Sequence, residues 1–484
     1  MAHLVWFRAD LRTIDNTALH EAARETATPV IGVFLLAPDQ WQEHDWATVK
    51  VDLMLRTLRD LSESLAEKKI PLLIRHADRF SDAPKVLLKL AKEHGSTALF
   101  FNREYEVNEK NRDDAVMIAF EKAGLAVHAC DDQTVMPPGS ILTKDGRPYT
   151  VFTPFKKAWI TKVQELDCVK VLAAPRARTE MPCKPDAVPA SLPAFDGLKR
   201  PDLWPSGEKH ALARLKEFAA KRIDGYKDNR DFPAVNGTST LSPYLCIGAI
   251  SPRQCIAAAL DANDGHYDKG STGAVQWISE IVWREFYKHL IAAFPRLSMG
   301  RAFKPETERI RWRDDEAGFA AWCEGRTGVP IVDAAMRQLT KTGWMHNRLR
   351  MITAMYLTKD LFIDWRRGEK FFMQNLVDGD LSQNNGGWQW SASTGTDSAP
   401  YFRIFNPVSQ SRSFDAKGTF IRKFVPELKP LDDDAIHEPW AGATLLRGAV
   451  AYPSKPVVDH SKARTRVLEA FKAISTGSSK SADK

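Results

Sequence analysis

The sequence predicts an α/β amino-terminal domain with a doubly wound parallel five-stranded sheet, then a long connector, then an all-α carboxy-terminal domain. Three observations carry this. Five short aliphatic runs alternate with helical periodicity up to residue 132, a proline-rich stretch fills 133–205, and amphipathic stretches without strand pattern occupy 206–474. With 484 residues, 44% of them hydrophobic and 27% charged, the chain is long enough for two or three domains with cores of their own.

The runs HLVWFR (3–8), PVIGVFLL (29–36), PLLIRH (71–76), TALFFNR (97–103) and LAVHACDD (125–132) read as strands. Longer stretches with helical periodicity separate them, so the crossovers are helical and the strands parallel. No GxGxxG follows the first strand and no GxxxxGK[ST] occurs, so this domain lacks the sequence support for a dinucleotide or P-loop site. Any ligand belongs at the carboxyl ends of the strands.

In the connector, VMPPGS and APRARTEMPCKPDAVPASLPAF carry prolines too frequent for a helix or a central strand. Beyond it, EKHALARLKEFAAKR and GAVQWISEIVWREFYKHLIAAF are amphipathic helices. The tail STGSSKSADK (475–484) is low in hydrophobicity and is expected to be disordered. No run of eighteen apolar residues occurs, and Arg8, Asp10 and Arg12 interrupt the first segment, so neither a membrane span nor a secretory signal is read and a cytoplasmic location is expected. The six cysteines show neither CxxC nor ligand spacing, which gives no support to a metal site or a disulfide framework.

A net charge of +7 permits binding to a polyanion without demonstrating it. The 14 tryptophans say more, because most lie in the second half among arginine and asparagine. Trp277, Glu280 and Arg284 share one helical face, with Trp283 three residues after Glu280. Two readings stay open there: an i,i+4 ion pair on a solvated surface, or an acid facing an aromatic ligand cavity. Trp344, Asn347, Arg348 and Met351 share a second face, and a core face would not normally hold asparagine and arginine. Thr238, Ser239, Thr240 and Ser242 precede an apolar helical run, where hydroxyls and backbone N–H groups suit a diphosphate or simply cap a helix. The stretch NNGGWQWSASTGTDSAPYFRIFNP (384–407) sets two indoles beside glycines, as a tight enclosure around something flat would require.

The segments WREFYKHL, GVPIVDAAMRQL, TGWMHNRLRM, DGDLSQNNGGWQWSASTGTD and PYFRIFNP resemble the flavin-binding domain of the photolyase and cryptochrome family. LVWFRADLR and NREYEVNE resemble its antenna domain, so the likeness spans essentially the whole chain, and it is greatest to bacterial class I cyclobutane pyrimidine dimer photolyases. The resemblance implies light-driven repair of cyclobutane pyrimidine dimers by electron transfer from photoexcited reduced FAD to a flipped-out dimer. It implies FAD contacts from Tyr226, Thr238, Ser239, Leu241, Ser242, Trp277, Glu280, Arg284, Trp344, Asn347, Arg350, Asp378, Asp380 and Asn384. Asp378 would pair with Arg350, Asp380 would contact the flavin ring, and Asn384 would face its N5 edge. Thr240 departs from the family, which usually has arginine there.

The same resemblance implies that Arg230, Glu280, Trp283, Asn347, Arg348, Met351 and Trp390 contact DNA or lesion, with Glu280 and Asn384 catalytic. Trp388, Trp365 and Trp312 match the three-indole chain that refills an oxidised flavin under light. His44, Asn108 and Glu109 match positions that hold 5,10-methenyltetrahydrofolate, and Met299 in place of a lysine favours that folate over a deazaflavin. The implied partner is UV-damaged DNA, single- or double-stranded, with little sequence preference, bound by a monomer. A signalling cryptochrome is disfavoured by the short polar tail. Repair of the six-four photoproduct is disfavoured by Asn347 and Met351, where its enzymes use two histidines, and a dark nucleotide-binding module would need neither Glu280, Asn384 nor the three indoles.

Overall fold

The computed structural model describes residues 2–441 and 452–478, so the last part of the expected tail, 479–484, lies outside the described residues. The chain divides into two compact units. One comprises Met1–Lys227, Ser239–Ser298 and Val377–Ser382, the other Asp228–Thr238, Met299–Leu376 and Gln383–Lys484.

In the first unit all five strands form where expected: β1 (Ala2–Phe7), β2 (Val30–Leu36), β3 (Leu72–His76), β4 (Ser96–Asn102) and β5 (Ala126–Cys130). Every neighbouring pair is parallel, in the order β3-β2-β1-β4-β5. The inner strands read as unbroken apolar runs because helices cover both faces of such a sheet. These are α1 (Thr17–Ala22), α2 (Pro38–Glu43), α3 (Thr48–Ala66), α4 (Ala83–Glu93) and α5 (Val107–Lys122). One core joins Leu4, Trp6, Ile31, Val33, Leu99 and Phe101 of the sheet to Leu87 and Leu90 of α4 and Val116 and Phe120 of α5.

Within the stretch 133–205, between the two proline-rich segments, lies α6 (Phe152–Leu166). The prolines that argue against a helix flank this segment. Inside it Phe152, Phe155, Trp159 and Val163 recur at helical spacing and are buried, and Pro154 falls in the first turn, where its missing N–H costs nothing. The unit continues with α7 (Glu208–Lys221), α8 (Tyr226–Asn229), α9 (Ser242–Cys246), α10 (Pro252–Asp261) and α11 (Thr272–Ala293). Ser271 caps α11 by accepting from the Ala274 N–H. Mid-helix, the buried carboxylate of Glu285 accepts N–H bonds from Val135, Met136 and the Trp159 indole. Those bonds fix the start of the connector and α6 against α11.

The second unit contains no strand among its described residues. Its helices are α12 (Glu316–Cys323), α13 (Pro330–Thr342), α14 (Asn347–Met355), α15 (Trp365–Met373), α16 (Leu381–Ala392), α17 (Pro407–Phe414), α18 (Thr419–Phe424) and α19 (His460–Ser478). Gly343, at φ 72°, stops α13 in the left-handed conformation that glycine adopts without strain. The helix α19 runs on to Ser478, past the start of the expected tail at 475. The core gathers Trp322, Leu339, Leu349, Leu357, Trp365, Phe372, Trp388 and Ile421, each buried large side chain contributing about 1.5–3 kcal/mol.

Between α14 and α15 the chain forms a π-helix, Tyr356–Leu361. It directs the Lys359 ammonium inward, to the Ala392 carbonyl at 3.1 Å and Ser393 Oγ at 2.9 Å, above the Phe471 ring at 4.2 Å. Burial, reinforced by the charge of Lys304, pushes the Lys359 pKa down to about 7. No helix among the described residues is long and apolar enough to cross a membrane.

Candidate functional site

In the first unit α11 carries the residues expected from its pattern. Trp277 is buried against Phe218 of α7 at 5.0 Å, and Phe218 meets Tyr226 edge-on at 5.8 Å, so three aromatic rings form one wall. Gln276 Nε2 donates to Glu280 at 2.8 Å, which fixes the carboxylate one turn on. Phe152 lies flat on Trp283, with centroids 3.7 Å apart and planes 9° from parallel, and so covers one indole face. Arg284 Nη1 donates to the Gln133 carbonyl at 2.6 Å.

Lys288, a residue the sequence did not single out, is buried on the same helix. Its Nζ lies 2.8 Å from Glu106 Oε1 and 3.2 Å from Asp380 Oδ2. Burial opposes ionisation of Asp380, but the charges of Lys288 and Arg284 overcome it and hold the carboxyl below the usual carboxylate range. The Asp378–Asp380 turn is tied down further, since the Gly379 carbonyl accepts from Lys50 Nζ at 2.7 Å and lies 3.4 Å from Cys246 Sγ.

The hydroxyl-rich segment is held in an unusual conformation. Thr240 has φ 51°, which places a non-glycine residue in the left-handed region, and its Oγ1 donates to the Ser239 carbonyl at 2.8 Å. The Arg214 guanidinium donates to that same Oγ1 and lies 5.6 Å above the Tyr244 ring. An arginine from α7 therefore reaches Thr240, the position at which the resemblance would place an arginine. Leu241 is buried, and Ser242 opens α9 with Pro243 behind it.

The three expected antenna residues come together. His44 Nε2 accepts from Asn108 Nδ2 at 2.9 Å and Gln40 Nε2 at 3.1 Å, leaving Nδ1 to donate to Glu109 Oε1 at 3.3 Å. The Phe80 ring stands edge-on to the imidazole at 5.4 Å. This is an amide, imidazole and carboxylate edge able to pair with the alternating donors and acceptors of a pterin.

In the second unit the face of α14 divides. Asn347 is exposed at its start, Arg348 and Met351 are half-buried, and His346 caps the helix through Nδ1, 3.3 Å from the Arg348 N–H. Burial pushes the His346 pKa down to about 4. Arg348 Nη2 meets Asp231 at 2.8 Å while its guanidinium lies 4.3 Å above the Phe414 ring, and Arg230 Nε stands 3.8 Å from the same carboxylate. Arg350 Nε donates to the Met345 carbonyl at 2.8 Å, and Trp344 stands edge-on to His346 at 6.3 Å. Thr238, half-buried, belongs to this unit as well.

On α16 the Asn384 Nδ2 donates to the Glu369 carbonyl at 2.9 Å, which fixes the amide and leaves its oxygen as an acceptor. Asn385 Nδ2 binds the Glu369 carboxylate at 2.8 Å and Gln389 binds Asn385 at 2.9 Å, so a polar ladder fixes the helix rotation. Trp388 is buried between Phe372 at 4.9 Å and Trp322 at 6.0 Å, and its Nε1 has no hydrogen-bond partner. Trp365 is buried beneath the Arg366 guanidinium at 4.7 Å, and Trp312 is half-buried beside Phe362 at 5.1 Å. All three indoles border one core. Trp390 is half-buried two residues beyond Trp388.

Comparison with known proteins decides the family. A deoxyribodipyrimidine photo-lyase of Escherichia coli (strain K12) is 45% identical over 480 residues, covering 98% of this chain and 99% of that protein. The chain belongs to the DNA photolyase family. The FAD binding domain of DNA photolyase matches residues 277–473 and the DNA photolyase domain matches 3–177. Among solved structures, a bacterial class III photolyase from Agrobacterium tumefaciens superposes with a TM-score of 0.84 at 36% identity, covering 98% of both chains. A cryptochrome from Synechocystis sp. PCC6803 superposes with a TM-score of 0.86 at 26% identity, covering 97% of this chain and 99% of that one.

The residues present fit a flavin dinucleotide. Within the first unit Arg214 on Thr240 offers charge and a hydroxyl for phosphates, and the Arg284, Lys288 and Asp380 cluster offers donors and an acceptor for a polar ring edge; within the second, Asn384 offers a fixed amide oxygen.

Proposed function

We propose that the chain is a deoxyribodipyrimidine photo-lyase, a light-driven carbon–carbon lyase that splits cyclobutane pyrimidine dimers in DNA by electron transfer to a flipped-out dimer. The observation that carries this is 45% identity over 98% of the chain to a protein of that name, on a chain that also presents Glu280 one turn from Trp277 and Trp283. Bound FAD, reduced and photoexcited, supplies the electron; second-chromophore light is supplied through 5,10-methenyltetrahydrofolate at His44, Asn108 and Glu109.

The protein's own residues bind, orient and exclude water. Arg214, Ser239, Leu241 and Ser242 hold the diphosphate side with Tyr226 and Thr238. The resemblance assigns the ring system to Trp277, Arg284, Trp344, Asn347, Arg350, Asp378, Asp380 and Asn384. The Asn384 amide oxygen is neutral and accepts an N–H, so it favours the reduced coenzyme; a carboxylate in its place would bring negative charge to that edge. A damaged pyrimidine pair leaves the stack cheaply because its bases are already weakly paired. Trp283, held flat from behind by Phe152, offers its other face to the lesion; Trp390 and Met351 are the further lesion contacts that the resemblance assigns. Glu280, fixed by Gln276, hydrogen-bonds the pyrimidine carbonyl region as charge arrives there.

Arg230 and Arg348 contact phosphates without reading sequence, so binding to single- or double-stranded damaged DNA weakens steeply with salt. Trp388, Trp365 and Trp312 return electrons to oxidised coenzyme and are not needed once it is reduced. The domain division follows the pattern above: an antenna domain at 1–132, a connector at 133–205 and an FAD domain from 206, acting as a monomer in the cytoplasm. Purified protein is incubated with a thymine-dimer oligonucleotide in light and in darkness; thymines are restored only in light, and no restoration in light removes the proposal.

A further inference from the structure

The Lys288 ammonium, buried on α11, is shared by two carboxylates far apart in sequence. Glu106 immediately precedes α5, one turn before Glu109, and its Oε1 lies 2.8 Å from Lys288 Nζ. Asp380 Oδ2 lies 3.2 Å from the same atom, and Oδ1 of that carboxylate accepts from the Ser382 N–H at 3.0 Å. One buried cation cannot approach both anions equally closely under changing conditions; whatever draws it toward one exposes the charge of the other. The two carboxylates also differ. Burial outweighs the Lys288 charge at Glu106 and raises its pKa, with Glu109 adding repulsion, whereas Asp380 stays ionised.

We infer that Lys288 is a positioning residue that couples the antenna site to the flavin site, so that a pterin taken by His44, Asn108 and Glu109 changes the charge Asp380 presents to the flavin. This rests on the flavin and folate assignments made above. A pterin N–H donated to Glu109 offsets part of the negative charge one turn from Glu106. Glu106 is then repelled less and holds the ammonium more closely, and Asp380 becomes more negative toward the flavin. Extra negative charge there disfavours reduction, so the midpoint potential falls. Linkage makes the effect reciprocal: a folate that binds about threefold more tightly to the oxidised than to the reduced holoprotein lowers the one-electron potential by about 28 mV.

The test uses the full chain loaded with FAD, titrated spectroelectrochemically with and without 5,10-methenyltetrahydrofolate. The downward shift is expected in the native protein and in Lys288→Arg, and is lost in Lys288→Met. Glu106→Gln, which leaves Asp380 its cation, also loses the shift and serves where Lys288→Met does not fold. Equal potentials with and without folate in the native protein, or a full shift persisting in either charge-removing variant, overturn the coupling. A holoprotein that repairs dimers in light yet shows no shift removes the coupling alone. Protein that retains no flavin removes the function with it, and protein that takes no folate removes the antenna assignment with it.

Discussion

A methyl group added at position 368 should disconnect photoreduction from repair. Gly368 lies in α15 directly under the indole of Trp388. A Cβ there would stand 2.1 Å from Cη2 and 2.5 Å from Cζ3 of Trp388, and 2.6 Å from Cδ2 of Leu357. Carbon atoms in contact keep about 3.5–4.0 Å apart, so the ring must retreat by roughly 1.5 Å. Phe372 at 4.9 Å and Trp322 at 6.0 Å leave it no free path. Overpacking costs about 1–3 kcal/mol, and alanine regains about 1 kcal/mol of helix propensity over glycine. Gly368→Ala should therefore fold, with Tm lowered by at most about 8 °C. Displacement of a reacting group by about 1 Å can cost up to about 100-fold, so light-driven reduction of oxidised flavin should slow at least about tenfold. Repair by chemically pre-reduced enzyme should be unchanged. Photoreduction followed by flavin absorbance under steady light, beside dimer repair by pre-reduced protein, measures both. A photoreduction rate equal to the native one, in a variant whose Tm has fallen, would refute the placement of Trp388 as the first indole.

Glu280→Ala should bind flavin normally and lower repair yield per absorbed photon by roughly 100-fold, the usual cost of removing one group aimed at developing charge; an unchanged yield removes its role. Trp312→Phe should abolish photoreduction and spare repair by pre-reduced enzyme, and equal loss of both contradicts that division of labour. Lys359→Met tests the buried amine. Its pKa is depressed in the fold to about 7, so its contribution to stability is present above the unfolded lysine value and lost as pH falls through about 7. Measured by urea unfolding, the native protein should gain about 2 kcal/mol on Lys359→Met between pH 7 and pH 9. A stability difference independent of pH would show that the lysine stays charged.

The sheet was legible because two-sided burial writes continuous aliphatic runs such as VIGVFLL, and the helical second half because its periodicity has no competing signal. The helix α6 was hidden by prolines on either side, since composition over a long window averages away a short apolar face. The site residues Trp277, Glu280 and Asn384 stood out by residue type and spacing. Their partners did not. Arg214, Lys288, Glu106 and Glu369 lie 26, 92, 182 and 15 positions from what they hold, and ordinary charged residues on helices give no sign of a distant partner. Gly368 was equally silent, because only the packed indole shows why a helix keeps a glycine there.

Direct donation of an electron from excited coenzyme to damaged base is read most plainly in emission. The fluorescence lifetime of the reduced flavin should be measured in the holoprotein with an undamaged oligonucleotide and with the same oligonucleotide carrying one thymine dimer. Shortening with the dimer alone is the expected result, and its loss in proportion to repair yield in Glu280→Ala would tie quenching to chemistry. Identical lifetimes with damaged and undamaged DNA, at concentrations where both are bound, would contradict the account.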